Sequence, residues 1–196
     1  MNAHWRKSSR ACFDALPGER IVAVDMHTAG EPLRIVLNTP FFPHGADILA
    51  RRRDAREGPW DRFRRVLMFE PRGHADMYGA IITAPVTQSA LVGVLFMDNE
   101  GYSTMCGHAI IALGKAAVEL GWVDAVEPET VVQMFACSPT ERSIGAQPAL
   151  RFRPDSPFGM RGRRLWRANG SRSKASPARC SAAGSWRIWS ITECRL

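Results

Sequence analysis

A strand that passes through a short polar loop into a helix leaves few folds open, and residues 91–121 read that way. Residues 91–97 are an apolar strand-like run, and a polar loop containing Gly101 follows. An Ala-rich amphipathic pattern then places Ile110, Leu113, Ala117 and Leu120 at helical spacing. Ser103 or Thr104 is suited to cap this helix and Gly121 to end it. Cys106 accordingly falls in the first helical turn, where free N–H groups and the positive end of the helix dipole are expected to lower a thiol pKa. Gly107 removes a side chain where a carboxylate could approach the N–H groups of Gly107 and His108. The expectation is a thiolate, acting as base or nucleophile, beside an anion cradle. A lone cysteine in a helix of small residues is equally the mark of a buried apolar position. His108 adds little on this reading, since helical positions i and i+2 point apart and do not form a Cys–His pair. Two such residues also fall short of a zinc site, and no metal is expected.

The remaining elements are short. Residues 21–25 and 33–37 read as neighbouring strands joined by a turn holding His27, Thr28, Gly30 and Glu31, for which a structural role is favoured over a site wall. Residues 45–65 read as two charged helices divided at Gly58-Pro59. Arg51, Arg52 and Arg53 suggest a phosphate patch in isolation, but Asp54, Glu57 and Asp61 among them favour a solvated, ion-paired surface. Glu70, Arg72, His74 and Asp76 crowd the loop before a strand over residues 79–84, and their types suit either an acid–base site or a self-neutralising ion-pair network. Residues 130–135 give a last strand. Short strands outnumber helices, so the fold class expected is β-rich α+β with a central helix and mostly antiparallel neighbours. Neither an internal repeat nor a nucleotide-binding glycine fingerprint is present.

Charge divides the chain. Residues 1–135 carry 14 basic and 16 acidic residues, a net −2, whereas residues 136–196 carry 12 and 3, a net +9. No valine follows Val132, and Arg, Ser, Ala, Gly, Pro and Trp dominate thereafter. The domain reading is a flexible segment over residues 1–20, a folded lobe over 21–135, and a basic, disordered tail over 136–196. Cys12, Cys106, Cys137, Cys180 and Cys194 are odd in number and irregularly spaced, without a secretory signal, which points to a reducing, cytoplasmic setting. No run is long and apolar enough for a membrane span.

Three segments carry a resemblance. Asp-Met-His-Thr-Ala-Gly-Glu-Pro-Leu-Arg-Ile-Val at residues 25–36, Phe-Glu-Pro-Arg-Gly-His-Ala-Asp-Met-Tyr-Gly-Ala at 69–80 and Asn-Glu-Gly-Tyr-Ser-Thr-Met-Cys-Gly-His at 99–108 resemble, in sequence and order, the proline racemase family. The continuation Met-Cys-Gly-His-Ala-Ile-Ile-Ala-Leu is most similar to its trans-3-hydroxy-L-proline dehydratase branch. The resemblance implies two similar α+β lobes like diaminopimelate epimerase, a small amino-acid substrate closed between them, no cofactor, and homodimers. It implies that Cys106 is the base that removes the Cα proton, and that N–H groups of Gly107 and His108 hold the substrate carboxylate. Independently, Lys7, Lys115 and Lys174 are the only lysines, and none follows a phosphate-cradling glycine loop, which favours a cofactor-free route.

The resemblance ends near residue 132, before a second lobe and its Asp-Arg-Ser-Pro-x-Gly-x-Gly type motif, where cysteine accompanies racemases and epimerases and threonine the dehydratase. The expectation is therefore a truncated trans-3-hydroxy-L-proline dehydratase with an unrelated or frame-shifted tail, weakly active or inactive alone. Proline racemase or 4-hydroxyproline epimerase is the alternative. From another class, a non-enzymatic lobe could bind nucleic acid or acidic partners through Arg161, Arg163, Arg164, Arg167, Arg172 and Lys174 near Trp166, though disordered arginine-rich tails acquire this composition without function, and nucleic acid is not the partner expected. A cysteine hydrolase with Cys106 as nucleophile is a third reading, disfavoured because no suitably placed histidine is evident.

Overall fold

In a computed structural model, the structure describes residues 18–40, 42–126, 128–136, 149–152 and 188–195, the last two as backbone. The order is β1 (Arg20–Thr28), β2 (Glu31–Asn38), α1 (Ile48–Glu57), α2 (Asp61–Met68), β3 (Gly79–Thr83), β4 (Val92–Met97), α3 (Gly107–Glu119), β5 (Thr130–Ala136), β6 (Ala149–Phe152) and β7 (Ile188–Arg195). One seven-stranded sheet, in the order β6-β5-β4-β3-β2-β1-β7, carries all the strands. Its β6 and β7 come from the region read as a tail; the arginine-rich stretch over residues 161–174 lies outside the described residues, as do the first seventeen residues, Cys12, Cys137 and Cys180.

Alternation along the strands gives the sheet two apolar faces. Leu33 and Ile35 of β2, Val94 and Phe96 of β4, and Val132 and Met134 of β5 point to the face covered by α3. Val36, Ile81, Leu95, Met97 and Phe135 point to the other, where Ile48 of α1 and Phe63 and Leu67 of α2 meet them. The Ala-rich face of α3 has a packing reason: Ala109, Ala112, Ala116 and Ala117 are all at most 1 % exposed, and such small side chains let the helix lie close against the strands. Antiparallel pairing holds for β1/β2 and β3/β4 as expected, but β2/β3 and β4/β5 are parallel. Parallel neighbours need a crossover. The helices supply it, α1 and α2 on one face and α3 on the other.

Local chemistry sets the connections. Ala29 and Gly30 have φ of 52° and 100°, the left-handed pair that a two-residue hairpin turn demands, and so Thr28 pairs directly with Glu31. The Asp47 side chain accepts from Ala50 N–H at 2.7 Å, capping α1, and Gly121, with φ of 70°, turns the chain just beyond α3. Gly58 divides α1 from α2, as the sequence predicts.

The arginines of α1 and α2 do more than solvate a surface. Arg51 donates to the Ala84 carbonyl and Arg52 to the Tyr102 carbonyl, while Arg64 reaches the carbonyls of Asp98 and Asn99 at 2.7 and 2.8 Å and pairs with Asp61. They fasten the loops after β3 and β4. Arg34 of β2, 6 % exposed, forks onto Asp25 at 2.7 and 2.9 Å and donates to the carbonyls of Leu67 and Arg72 at 2.8 and 2.7 Å. It thereby joins β1, α2 and the following loop. Glu70, Arg72, His74 and Asp76 point outward from that loop, so its anchor is Arg34 rather than a network among those four.

Truncating one member of a buried ion pair strands its partner, at a cost of about 3 kcal/mol or more. Arg34→Met is therefore expected to lower stability by about that amount in urea unfolding, whereas Arg53→Met, at an exposed position of α1, is expected to change it by less than about 0.5 kcal/mol.

Candidate active site

The site is built where three segments meet: the end of the β1/β2 hairpin, the residue before β3, and the start of α3. Cys106 is the N-cap of α3, with φ −137° and ψ 123°, and the helix proper begins at Gly107. Ser103 and Thr104 thus lie upstream of the cap rather than forming it. This shift of two to three residues has a chemical consequence. Because the backbone of Cys106 is extended, the helical argument against an i, i+2 contact does not apply, and Cys106 Sγ lies 3.0 Å from His108 Nδ1. The Cys–His pair that the spacing argued against is present.

The tautomer of His108 follows from its surroundings. The backbone of Pro32, which offers only a carbonyl, acts on the ring in the direction that favours its protonated form. Nδ1 is the ring nitrogen nearer the sulfur, so the tautomer protonated at Nε2 is the one that leaves Nδ1 as an acceptor for the thiol. The Thr28 hydroxyl donates to the His108 carbonyl at 3.0 Å, stitching the hairpin to the first turn of α3. Thr28, Glu31 and Pro32 therefore belong to the wall of this site, and the purely structural role favoured for the turn is too narrow; His27 instead accepts from Gly30 N–H within the turn.

Tyr78 closes the other side. Its ring meets His108 edge-on at 5.2 Å and 66°, with the Phe96 ring 6.2 Å away, and its hydroxyl is hydrogen-bonded to that of Ser103. Neither Tyr78 nor Ser103 was marked for a site by spacing. Tyr78 sits next to the apolar start of β3, and an aromatic residue there reads as core until the fold shows where its hydroxyl goes.

Electrostatics differ from the sequence expectation. Burial pushes the Cys106 thiol up, with the Glu31 carboxylate adding to the rise, against favourable N–H groups of Ala109 and His108 and the Tyr78 hydroxyl. Burial pushes His108 down. Removing the pair from water costs more than the helix terminus returns, because the terminus contributes about 0.3–1 kcal/mol while desolvation of a charge exceeds that. Both shifts favour the neutral pair, thiol and imidazole, in the unliganded chain. Around it, the N–H groups of the first turn have no intrahelical partner, and Gly107 carries no side chain to cover them. No group of three His, Cys, Asp or Glu among the described residues is placed to hold a metal ion, and no described helix is long and apolar enough to cross a membrane.

Comparisons with known proteins agree on the lineage. The chain is 58% identical over 118 residues to the trans-L-3-hydroxyproline dehydratase of Xenopus tropicalis, covering 60% of this chain and 34% of that protein. It is 54% identical over 114 residues to the 3-hydroxyproline 2-epimerase of Burkholderia multivorans, covering 58% and 33%, and 54% identical over 110 residues to the human trans-3-hydroxy-L-proline dehydratase, covering 56% and 31%. The chain thus spans about a third of the length of the curated relatives it matches. Among solved structures, a hydroxyproline epimerase from Agrobacterium vitis superposes with a TM-score of 0.60 at 19% identity, over 69% of this chain and 38% of that one. A probable proline racemase from Agrobacterium radiobacter K84 gives 0.60 at 21%, over 68% and 38%. These likenesses show the α+β fold of one lobe. The family described as proline racemase matches residues 23–140, more than half of the sequence, and the chain belongs to that family.

Proposed function

We propose that this chain carries the cysteine half of a cofactor-free trans-3-hydroxy-L-proline dehydratase site. The observation that supports it most is the placement of Cys106 between a proton acceptor, His108 Nδ1 at 3.0 Å, and the open N–H groups at the start of α3. Identities of 54–58% to proteins named for this activity support the same reading.

A Cα–H is a very weak acid, so its removal requires the carbanion charge to be met as it forms. The N–H groups of Gly107 and His108 hold the substrate carboxylate and draw that charge toward it. Transfer of the Cys106 proton to His108 leaves a thiolate, which takes the Cα proton. The electron pair left on Cα forms the Cα–Cβ double bond, and the 3-hydroxyl departs as water with a proton from an acid. Tautomerisation of the enamine returns a proton to the ring carbon and gives Δ1-pyrroline-2-carboxylate.

A second reading shares the first step. The epimerase of Burkholderia multivorans matches over nearly the same span at 54% identity, and an epimerase or racemase would return a proton to Cα with the 3-hydroxyl retained. Incubating the chain with trans-3-hydroxy-L-proline in D2O separates them by nuclear magnetic resonance. Dehydration gives pyrroline carboxylate, epimerisation gives hydroxyproline deuterated at Cα, and Cys106→Ser is expected to lower either by about 1,000-fold or more. Turnover or Cα exchange that survives in Cys106→Ser contradicts the proposal.

The protonation state makes a further demand. Because the thiol is held above its usual range, the thiolate is the minor form at neutral pH, and its fraction grows about tenfold per pH unit below the thiol pKa. Transfer to His108, however, moves the thiol proton within the protein without releasing it, so kcat/KM is expected to rise only as His108 becomes neutral, below its usual range, and then to stay level; a profile that climbs tenfold per unit through neutral and alkaline pH contradicts His108 as the acceptor.

A further inference from the structure

Three groups surround the Cys106 sulfur, and the reaction just described uses only two of them, His108 and the helix terminus. The third is Tyr78. Its backbone carbonyl accepts from Arg34 N–H at 2.9 Å, and its ring lies between Phe96 at 6.2 Å and His108 at 5.2 Å. These contacts leave the hydroxyl few directions to point. It meets the Ser103 hydroxyl, three residues before Cys106, and the His108 ring that Tyr78 touches edge-on lies 3.0 Å from the Cys106 sulfur, so hydroxyl and sulfur share one corner of the site. A hydroxyl has one proton to give. If Ser103 gives its proton to the Tyr78 oxygen, the Tyr78 proton is free for sulfur.

We propose that Tyr78, with Ser103 behind it, is a positioning residue for the Cys106 thiolate: Ser103 donates to Tyr78, and Tyr78 donates to the sulfur once its proton has left. This rests on Cys106 being the reactive base, and it adds a role that spacing and motif did not assign. The argument is one of supply. A half-buried thiolate has lost most of its water, and a fixed hydroxyl replaces a water without having to reorganise. A phenol held away from solvent also keeps its proton, since burial pushes Tyr78 up, so it remains a donor where a free thiol would already be ionised. The other charged or titratable groups acting on this trio are Glu31 on the hairpin, which opposes the thiolate, Asp98 after β4, which raises Tyr78, and His108, which accepts the thiol proton.

The test needs no substrate, so it fails or succeeds separately from the dehydratase reading. Alkylation of the purified full chain by iodoacetamide, followed by mass spectrometry at the peptide bearing Cys106, reports the thiolate fraction as pH rises. Tyr78→Phe keeps the ring and its contacts but removes the donor. A hydrogen bond to a charged acceptor corresponds to roughly tenfold in this equilibrium. The midpoint in Tyr78→Phe is therefore expected to move up by about one pH unit, with alkylation about tenfold slower at neutral pH and the maximal alkaline rate preserved. Ser103→Ala is expected to move the midpoint the same way by a smaller amount, and it carries the test if Tyr78→Phe does not fold by circular dichroism. An unchanged midpoint in the folded variants overturns the proposal. A midpoint that falls in Ser103→Ala also overturns it, since Tyr78 would then have been donating to Ser103 and not to sulfur.

Discussion

Much of this structure depends on one buried guanidinium. Arg34 lies in the middle of β2, where alternation would place an apolar residue against α2, and it is tolerated there because its donors are matched by the Asp25 carboxylate and two backbone carbonyls. Those carbonyls belong to Leu67, near the end of α2, and Arg72, in the loop beyond it. A single side chain thus ties the first hairpin to the segment that delivers β3, and its own backbone N–H holds the carbonyl of Tyr78. Arg64 and Arg52 repeat the device for the loop after β4, gripping the carbonyls of Asp98, Asn99 and Tyr102. Loops carry the residues around Cys106, and arginine forks make those loops rigid.

The chemistry at Cys106 is a competition between burial and polar contacts. A helix start favours a thiolate, and the same helix start, packed under a hairpin and against Tyr78, removes the water that would also favour it. Burial prevails: it pushes the thiol up and the imidazole down, which favours the neutral form of each. That neutral pair lies one proton transfer, across 3.0 Å, from a thiolate and an imidazolium.

Several parts of this could be read from residues alone. The apolar runs located β1 to β5, Gly58 located the break between α1 and α2, and the spacing of Ile110, Leu113 and Ala117 located α3, because period and punctuation are local properties of a chain. Three matching segments located the family and pointed to Cys106, Gly107 and His108, which the fold brings together at one helix start. The parallel pairings were not legible, since they depend on which face each helix covers. Nor were the targets of Arg51, Arg52 and Arg64: an arginine beside acidic residues looks like a surface pair until the loop it reaches, thirty or more residues away in sequence, is in place.

What the sequence determined by itself is β1 to β5, the three helices, and the cysteine at the head of an Ala-rich helix, because each follows from neighbours within a few residues. Only the tertiary structure decided what surrounds that cysteine. An extended backbone at Cys106 turned a disallowed spacing into a Cys–His contact, the hairpin supplied Thr28, Glu31 and Pro32, and the residue before β3 supplied Tyr78. Whether the thiol is raised or lowered followed from the same packing, since desolvation depends on every atom that displaces water and so cannot be read from the residues on either side of the sulfur.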